Sequence, residues 1–395
     1  MNHRIVVLGA GYAGAIAAGR LAKRLRREDV HLTLVNAEPD FVERVRMHQL
    51  AAGQDLKPRP LADMFQGTGV RLRVDRVTAV DVEAKTVALK SGDELAYDTL
   101  VYGLGSAAAD HGVPGVAEHA YELASRPGAL RLRERLAELG AGARVLVVGG
   151  GLTGLEAVTE IAETRPDLDV ALAAREGLGG WLSGRGRSHL RGVVERLGIT
   201  VHERAAVERV EAGGVVLEGG RAVGADVTVW TAGFAVHPIA AASTLEVSGT
   251  GQIVVDATMR SVSHPDVYAV GDAALAMGPG DKPLRMSCAS GVPVAWQAAD
   301  AIAARLTGRK IPKAPLRYFN QCISLGRRDG LIQFVTADDR AKGSLLKGRT
   351  AARYKELVCK GAVWGVAHPT LGLPVRRHRM EREAAAEGRA VEATA

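Results

Sequence analysis

Two short stretches of this chain carry residue types whose spacing points to chemistry. The apolar run Ile5-Val6-Val7-Leu8 leads into Gly9-Ala10-Gly11-Tyr12-Ala13-Gly14, and Val145-Leu146-Val147-Val148 leads into Gly149-Gly150-Gly151-Leu152-Thr153-Gly154. In both, a strand-like segment meets a G-x-G-x-x-G turn that opens a helix-like run. The first glycine permits the tight turn, the second lets backbone approach a pyrophosphate, and the third lets helix pack on strand. The helix start then offers unpaired N–H groups and the positive end of its dipole to phosphate. Two such turns, each in its strand-to-helix setting, predict two bound dinucleotides.

Those turns need a scaffold that repeats. At 395 residues the chain is too long for one ordinary core, so two or three domains are expected. Residues 4–8, 15–26 and 30–35 have the pattern of strand, helix and strand, and residues 144–148, 155–163 and 170–174 repeat that order about 140 residues later. Alternating runs between residues 70 and 101, and again between 200 and 230, predict antiparallel meanders inserted in each unit. Helices are expected over 127–139 and 292–306, where Pro293 suits a helix start. The predicted fold class is α/β: two Rossmann-like dinucleotide-binding domains with inserted β-meanders, plus a small α+β C-terminal region. The expected boundaries are 1–119 with 236–311, then 120–235, then 312–395 with a basic tail.

Composition narrows the class further. With 47% hydrophobic and 24% charged residues the chain is globular rather than disordered. No stretch approaches the roughly 18 charge-free apolar residues that cross a bilayer. The chain enters a strand at once, so a cytoplasmic protein is expected. Residues 340–395 hold twelve Lys and Arg against five Glu, which accounts for the whole net charge of +7. Such a flank suits an anionic membrane surface or an acidic protein acceptor as readily as plain solvation. Aromatic residues are not interleaved with the basic ones, so no nucleic-acid partner is expected. Cys288, Cys322 and Cys359 lie 34 and 37 residues apart, which fits no C-x-x-C or metal-ligand spacing and reads as small apolar filling. Residues 41–53, after the first βαβ unit, contain no cysteine, which removes a relay through an internal dithiol.

Three further segments fall in order with the two turns: Val101-Tyr102-Gly103-Leu104-Gly105-Ser106 between them, then Thr231-Ala232-Gly233-Phe234 and Tyr268-Ala269-Val270-Gly271-Asp272 after them. This series, over residues 1 to about 335, resembles the flavoproteins with two dinucleotide-binding domains. Within them it is similar to the type II NADH:quinone oxidoreductase-like branch, which lacks the redox disulfide. The resemblance implies FAD on the first domain, held by Gly9, Gly11, Tyr12, Ala13, Gly14, Asn36, Gly105, Ser106, Gly271, Asp272 and Val294. It implies NADH or NADPH on the second, held by Gly149, Gly151, Leu152, Thr153, Gly154, Glu156, Arg175 and Gly233. Asp272 would accept hydrogen bonds from ribityl hydroxyls, and the helix starting near Val294 would aim its N–H groups at the flavin carbonyl.

Two positions depart from the family pattern. Asn36 stands where a carboxylate takes the adenine ribose, with Glu38 as the nearby acid. Arg175 stands at the matching place in the second unit, where a guanidinium pairs with a 2′-phosphate and so favours NADPH, with Arg185 and Arg187 as helpers. Glu156 corresponds to a glutamate that contacts the nicotinamide carboxamide in relatives, although an acid near a helix start is also favoured by the dipole alone.

The implied chemistry is hydride transfer from nicotinamide to flavin, then electrons to a small acceptor such as a quinone. Gln297 keeps part of the glutamine pattern that faces the quinone in the family, and His48, in the segment beside the flavin, is a candidate proton donor to the reduced acceptor. Residues 354, 357, 358 and 361 fall on one helical face that suits packing, a homodimer or peripheral membrane contact. A tailoring oxidoreductase of biosynthesis, or a nucleotide-sensing protein with negligible turnover, also remains open at this point.

Overall fold

The computed structural model describes residues 2–312 and 316–381; the expected basic tail beyond residue 381 lies outside the described residues. Two five-stranded parallel sheets organise the chain. The first has the order Val267–Ala269, Thr99–Tyr102, His3–Leu8, Val30–Asn36, Val70–Val74. The second has the order Thr200–Glu203, Asp169–Ala174, Arg144–Val148, Val227–Trp230, Ala120–Glu122. Residues 5–8 and 145–148 of the central strands are buried throughout, as parallel strands covered on both faces must be.

Each glycine turn runs from its central strand into a thirteen-residue helix, Tyr12–Arg24 and Leu152–Thr164. The first of these packs against the long helix Cys288–Leu306, and both bury small residues, Ala15, Ala18 and Ala22 in one and Ala295, Ala298, Ala299 and Ala301 in the other. An ion pair of Arg20 with Asp300 at 2.6 Å ties the same two helices.

Two antiparallel meanders decorate this frame. Val77–Asp81, Thr86–Leu89 and Glu94–Ala96 form one meander, and Val207–Glu211, Gly214–Leu217 and Ala222–Gly224 form the other. Val70–Val74, expected in the first meander, instead closes the edge of the parallel sheet, paired with Val30–Asn36. Its alternating Arg71 and Arg73 misled the pattern, because an edge strand covered on one face looks antiparallel in sequence. Thr200–Glu203, at an edge, and the fully buried Val227–Trp230, inside, likewise belong to the second parallel sheet.

The chain passes between the sheets as two strands, Ser106–Ala108 and Phe234–Val236, paired antiparallel with each other. After the second passage it returns to the first sheet and the helix Cys288–Leu306. That helix begins at Cys288, behind Ser287, and carries Pro293 inside it. Proline there forgoes one backbone bond in the second turn without ending the helix. Hence the expected start near Val294 is corrected: Val294 is a core residue, 2% exposed.

The C-terminal region is a three-stranded antiparallel sheet, Asn320–Ser324, Gly330–Val335 and Ala341–Lys347, followed by the helix Gly348–Ala367. Beyond it the backbone straps back along the first glycine-turn helix. Arg20 Nη1 donates to the Pro369 carbonyl at 2.8 Å, the His378 N–H to the Arg24 carbonyl at 2.8 Å, and the Met380 N–H to Asp29 Oδ2 at 3.1 Å. The carbonyl of Asp29 in turn accepts the N–H of His3 at 3.0 Å.

Candidate functional site

A continuous cleft of about 1280 Å³ touches both glycine turns, larger than the usual range for a single small ligand. The two turns are built alike. Gly9 and Gly149 have φ of +86° and +124°, which a side chain would strain. A Cβ on Gly14 would strike the carbonyl oxygen of Gly9, and one on Gly154 that of Gly149, so these glycines let helix meet strand. The middle glycines differ: a Cβ on Gly11 or Gly151 would meet nothing within 4 Å. Both are also the N-caps of their helices and supply no side-chain cap, so the first N–H groups are left to the cleft. Gly11, Tyr12 and Ala13 line it on one side, and Gly149, Gly151, Leu152 and Thr153 on the other.

Around the first turn, Asn36 lines the cleft but its amide braces the turn itself. Oδ1 accepts the Ala10 N–H at 2.8 Å, and Nδ2 donates to the Glu38 carbonyl at 2.7 Å. Exposed Glu38 is the carboxylate at this corner. Gly105, Gly271 and Asp272 also line the cleft. Ser106 stands behind them, its hydroxyl donating to Asp272 Oδ2 at 2.6 Å. Arg44 lies beside this pair, with Nη1 bonded to the Ser106 carbonyl at 2.8 Å.

Around the second turn, Gly233 lines the cleft, and the Thr231 hydroxyl bonds the Val148 carbonyl behind Gly149. Arg175 is exposed at the strand end and lines the cleft, while neighbouring Glu176 does not. Arg185 and Arg187, expected as helpers, lie on the helix Gly184–Arg196 outside the cleft wall.

Between the turns sits a polar cluster from three parts of the chain. His48 is on the short helix Met47–Ala51, Glu156 is one turn into the helix Leu152–Thr164, and Lys355 comes from the C-terminal helix; all three line the cleft. Lys355 Nζ lies 2.9 Å from Glu156 Oε1, which also accepts the Ser324 N–H at 3.0 Å. Burial alone would push the Glu156 carboxyl up, but Lys355, His48 and the Ser324 N–H hold it below the ordinary range. Lys355 is held above its ordinary value, because Glu156 and its other neighbours outweigh burial. His48 faces Glu156 at 3.9 Å and is pulled down to about 4 by burial. It is therefore a neutral imidazole at pH 7, contrary to the expectation of a charge change near neutrality. Its Nε2 has no protein partner among the described residues.

Gln297 is not in the cleft wall. It is 5% exposed on the core side of its helix, with Nε2 donating to the Pro312 carbonyl at 3.1 Å. The neighbouring Trp296, rotated by about 100° around the helix, lines the cleft instead. Sequence spacing also hid the cysteines' meeting: Cys288, Cys322 and Cys359 all line the same cleft as free thiols. Burial pushes all three up, Cys322 to about 12, so at neutral pH they act as apolar, protonated wall.

The residues present fit two dinucleotides: two open glycines, two uncapped helix starts and one shared cleft. The family described as pyridine nucleotide-disulphide oxidoreductase matches residues 3–303. The NADH dehydrogenase-like protein Rv1812c of Mycobacterium tuberculosis is 31% identical over 317 residues, covering 74% of this chain and 78% of its own. The type II NADH:quinone oxidoreductase NdhA of the same organism is 26% identical over 369 residues, covering 81% and 76%. In fold, NDH2 of Plasmodium falciparum, solved in complex with NADH, superposes with a TM-score of 0.75 at 14% identity, over 95% of this chain and 99% of that one. With twin nucleotide cradles and no cysteine in the segment beside the first, the chain belongs to the pyridine nucleotide-disulphide oxidoreductase family, in its type II NADH:quinone oxidoreductase-like branch, and is an FAD-dependent NAD(P)H oxidoreductase.

Proposed function

We propose that the protein oxidises NADPH and passes the electrons to a quinone. The observation that carries the acceptor is the apolar wall of the cleft. The helix Cys288–Leu306 contributes Cys288, Val292 and Trp296, and the C-terminal helix contributes Val358, Cys359 and Ala362. A flat, weakly polar ring system suits such a wall. NdhA, named as a quinone oxidoreductase, supports the same reading. Bound FAD would supply the hydride-accepting and electron-donating chemistry that no side chain of the protein provides.

The chain's own residues divide the remaining work. Gly11 and Gly151 admit the diphosphates, Glu38 takes a ribose hydroxyl, and Asp272 takes ribityl hydroxyls. Arg175 pairs with the 2′-phosphate that separates NADPH from NADH. Glu156 stays ionised beside the nicotinamide because Lys355 and Ser324 hold it. A quinone gains protons as it is reduced, and His48 can relay one: its ring accepts a proton arriving from water, the Glu156 carboxylate steadies the brief imidazolium, and the ring then gives a proton to the reduced acceptor.

Anaerobic stopped-flow tests this directly. The flavin absorbance near 450 nm should bleach faster with NADPH than with NADH, and short-chain menaquinone should restore it. Reoxidation by ferricyanide but by no quinone would remove the quinone reading, and equal rates with both nucleotides would remove the phosphate preference.

The acceptor's source is inferred to be an anionic membrane surface. No helix among the described residues is long and apolar enough to cross a membrane. The C-terminal helix and the turn after it expose Leu357 at 67%, Trp364 at 47% and Leu373 at 66%, with Arg353, Lys360 and Arg376 exposed around them. Apolar tips ringed by cations suit the interface of anionic lipid. Co-sedimentation with phosphatidylglycerol vesicles, weakened by salt and absent with phosphatidylcholine, is the expected result.

A further inference from the structure

We propose that Arg44 is a second anion anchor for FAD, pairing with its diphosphate alongside the helix start of the first glycine turn, and that the same side chain ties FAD to the strands linking the two sheets. Arg44 opens the short 3-10 turn Arg44–Arg46, after the strand Val30–Asn36, and lines the cleft. Its donors are unevenly used. Nη1 bonds the Ser106 carbonyl at 2.8 Å, but Nη2 is buried with no protein partner among the described residues.

The local charge balance is also incomplete. The nearest carboxylate, Asp272, lies 3.6 Å from Nη1 and already accepts the Ser106 hydroxyl. Glu122 adds only a more distant field, and burial holds the guanidinium below its ordinary pKa. A guanidinium so enclosed, with a donor unfilled, is a poor arrangement for the protein by itself. An anion in the cleft completes it, and a guanidinium's planar fork matches phosphate oxygens. Gly11 and Gly105 leave the neighbouring wall open, since a Cβ on either would meet nothing within 4 Å. The diphosphate of the dinucleotide is the anion this wall admits.

The second half of the proposal follows from what else Arg44 touches. Its guanidinium carbon sits 4.8 Å from the centre of the Phe234 ring. Ser106 begins one passage between the sheets and Phe234 begins the other, and Val236 pairs with Ser106 across them. One side chain therefore grips both passages. Filling its vacant donor with cofactor phosphate fixes the joint on which the second nucleotide cradle hangs.

The test is FAD release from purified holoenzyme, followed by recovery of free flavin fluorescence, in Arg44→Met, Arg44→Lys, Arg44→Gln and Phe234→Leu. Arg44→Met should release FAD about tenfold faster or more, and Arg44→Gln nearly as fast, while Arg44→Lys should recover part of the loss as a point charge without the fork. Phe234→Leu, which keeps the charge, should change release by about twofold to threefold. The flavin midpoint potential should be unchanged in Arg44→Lys, because the charge acts on phosphate and not on the ring. Release from Arg44→Met within about twofold of the parent, or an Arg44→Gln protein indistinguishable from the parent, would overturn the anchor. A Phe234→Leu protein as leaky as Arg44→Met would assign the loss to packing at the joint and overturn it as well.

Discussion

The two glycine turns share a skeleton and differ in everything fixed outside it. In both, the last glycine abuts the carbonyl of the first, the middle glycine faces open space, and the helix starts without a side-chain cap. The strand beside the first turn ends in Asn36, whose amide is spent on bracing the turn. The strand beside the second is followed by Arg175, exposed on the cleft. The helix of the first turn buries no charged side chain, whereas that of the second buries Glu156 and Glu160. A phosphate cradle is thus a local backbone motif, while the side chains beside it differ from one turn to the other and, for Lys355 against Glu156, come from a distant segment.

Breaking each cradle at its equivalent glycine should separate them most sharply. Gly14→Val should give a protein that neither folds properly nor retains FAD. Gly154→Val should stay yellow yet bind NAD(P)H about 100-fold more weakly or worse, read by titrating the flavin bleach. Next in size is the buried pair found only in the second cradle. Lys355→Met leaves Glu156 uncompensated and should lose about 3–5 kcal/mol in denaturant unfolding, much of it recovered in the double variant with Glu156→Gln. Arg175→Ala should lower kcat/KM for NADPH by about 10- to 100-fold and leave NADH within about threefold.

The smallest expected effect is a slope with pH. Glu160 is fully buried, and burial raises its carboxyl to about 7 against the opposing pull of Arg327 and a hydrogen bond from Gln54. The folded protein therefore keeps a proton that the unfolded chain releases above its ordinary value of 4.5. Stability from this site is complete below pH 4.5 and is lost as pH rises through 7. Glu160→Gln should flatten the fall in melting temperature across that window. His48 works in the opposite sense: its support is present above pH 6.5 and is lost as pH falls toward 4.

What could be read from the sequence follows the same division. The turns, their flanking strands and the parallel α/β class were legible because their signals are local and periodic. Lys355 was not, since it lies 199 residues from Glu156 and sits among other cations on a helix whose packed face the pattern left ambiguous. Arg44 carried no signal beyond its place near the first cradle, because its partners Ser106 and Phe234 meet only through strand pairing. Val294 and Gln297 went astray for one reason: starting the helix near Val294, after Pro293, instead of at Cys288 left no way to tell which side faces the cleft. The cysteines, evenly spread in the chain, converge only because three elements share one wall.

Asp29 receives His3 through its carbonyl and Met380 through its carboxylate. Residues 3 and 380 are therefore held by a single amino acid, so a circularly permuted gene could join them through a short peptide and open new termini in an exposed turn such as Ser91-Gly92. Such a rearranged polypeptide should still take up both coenzymes.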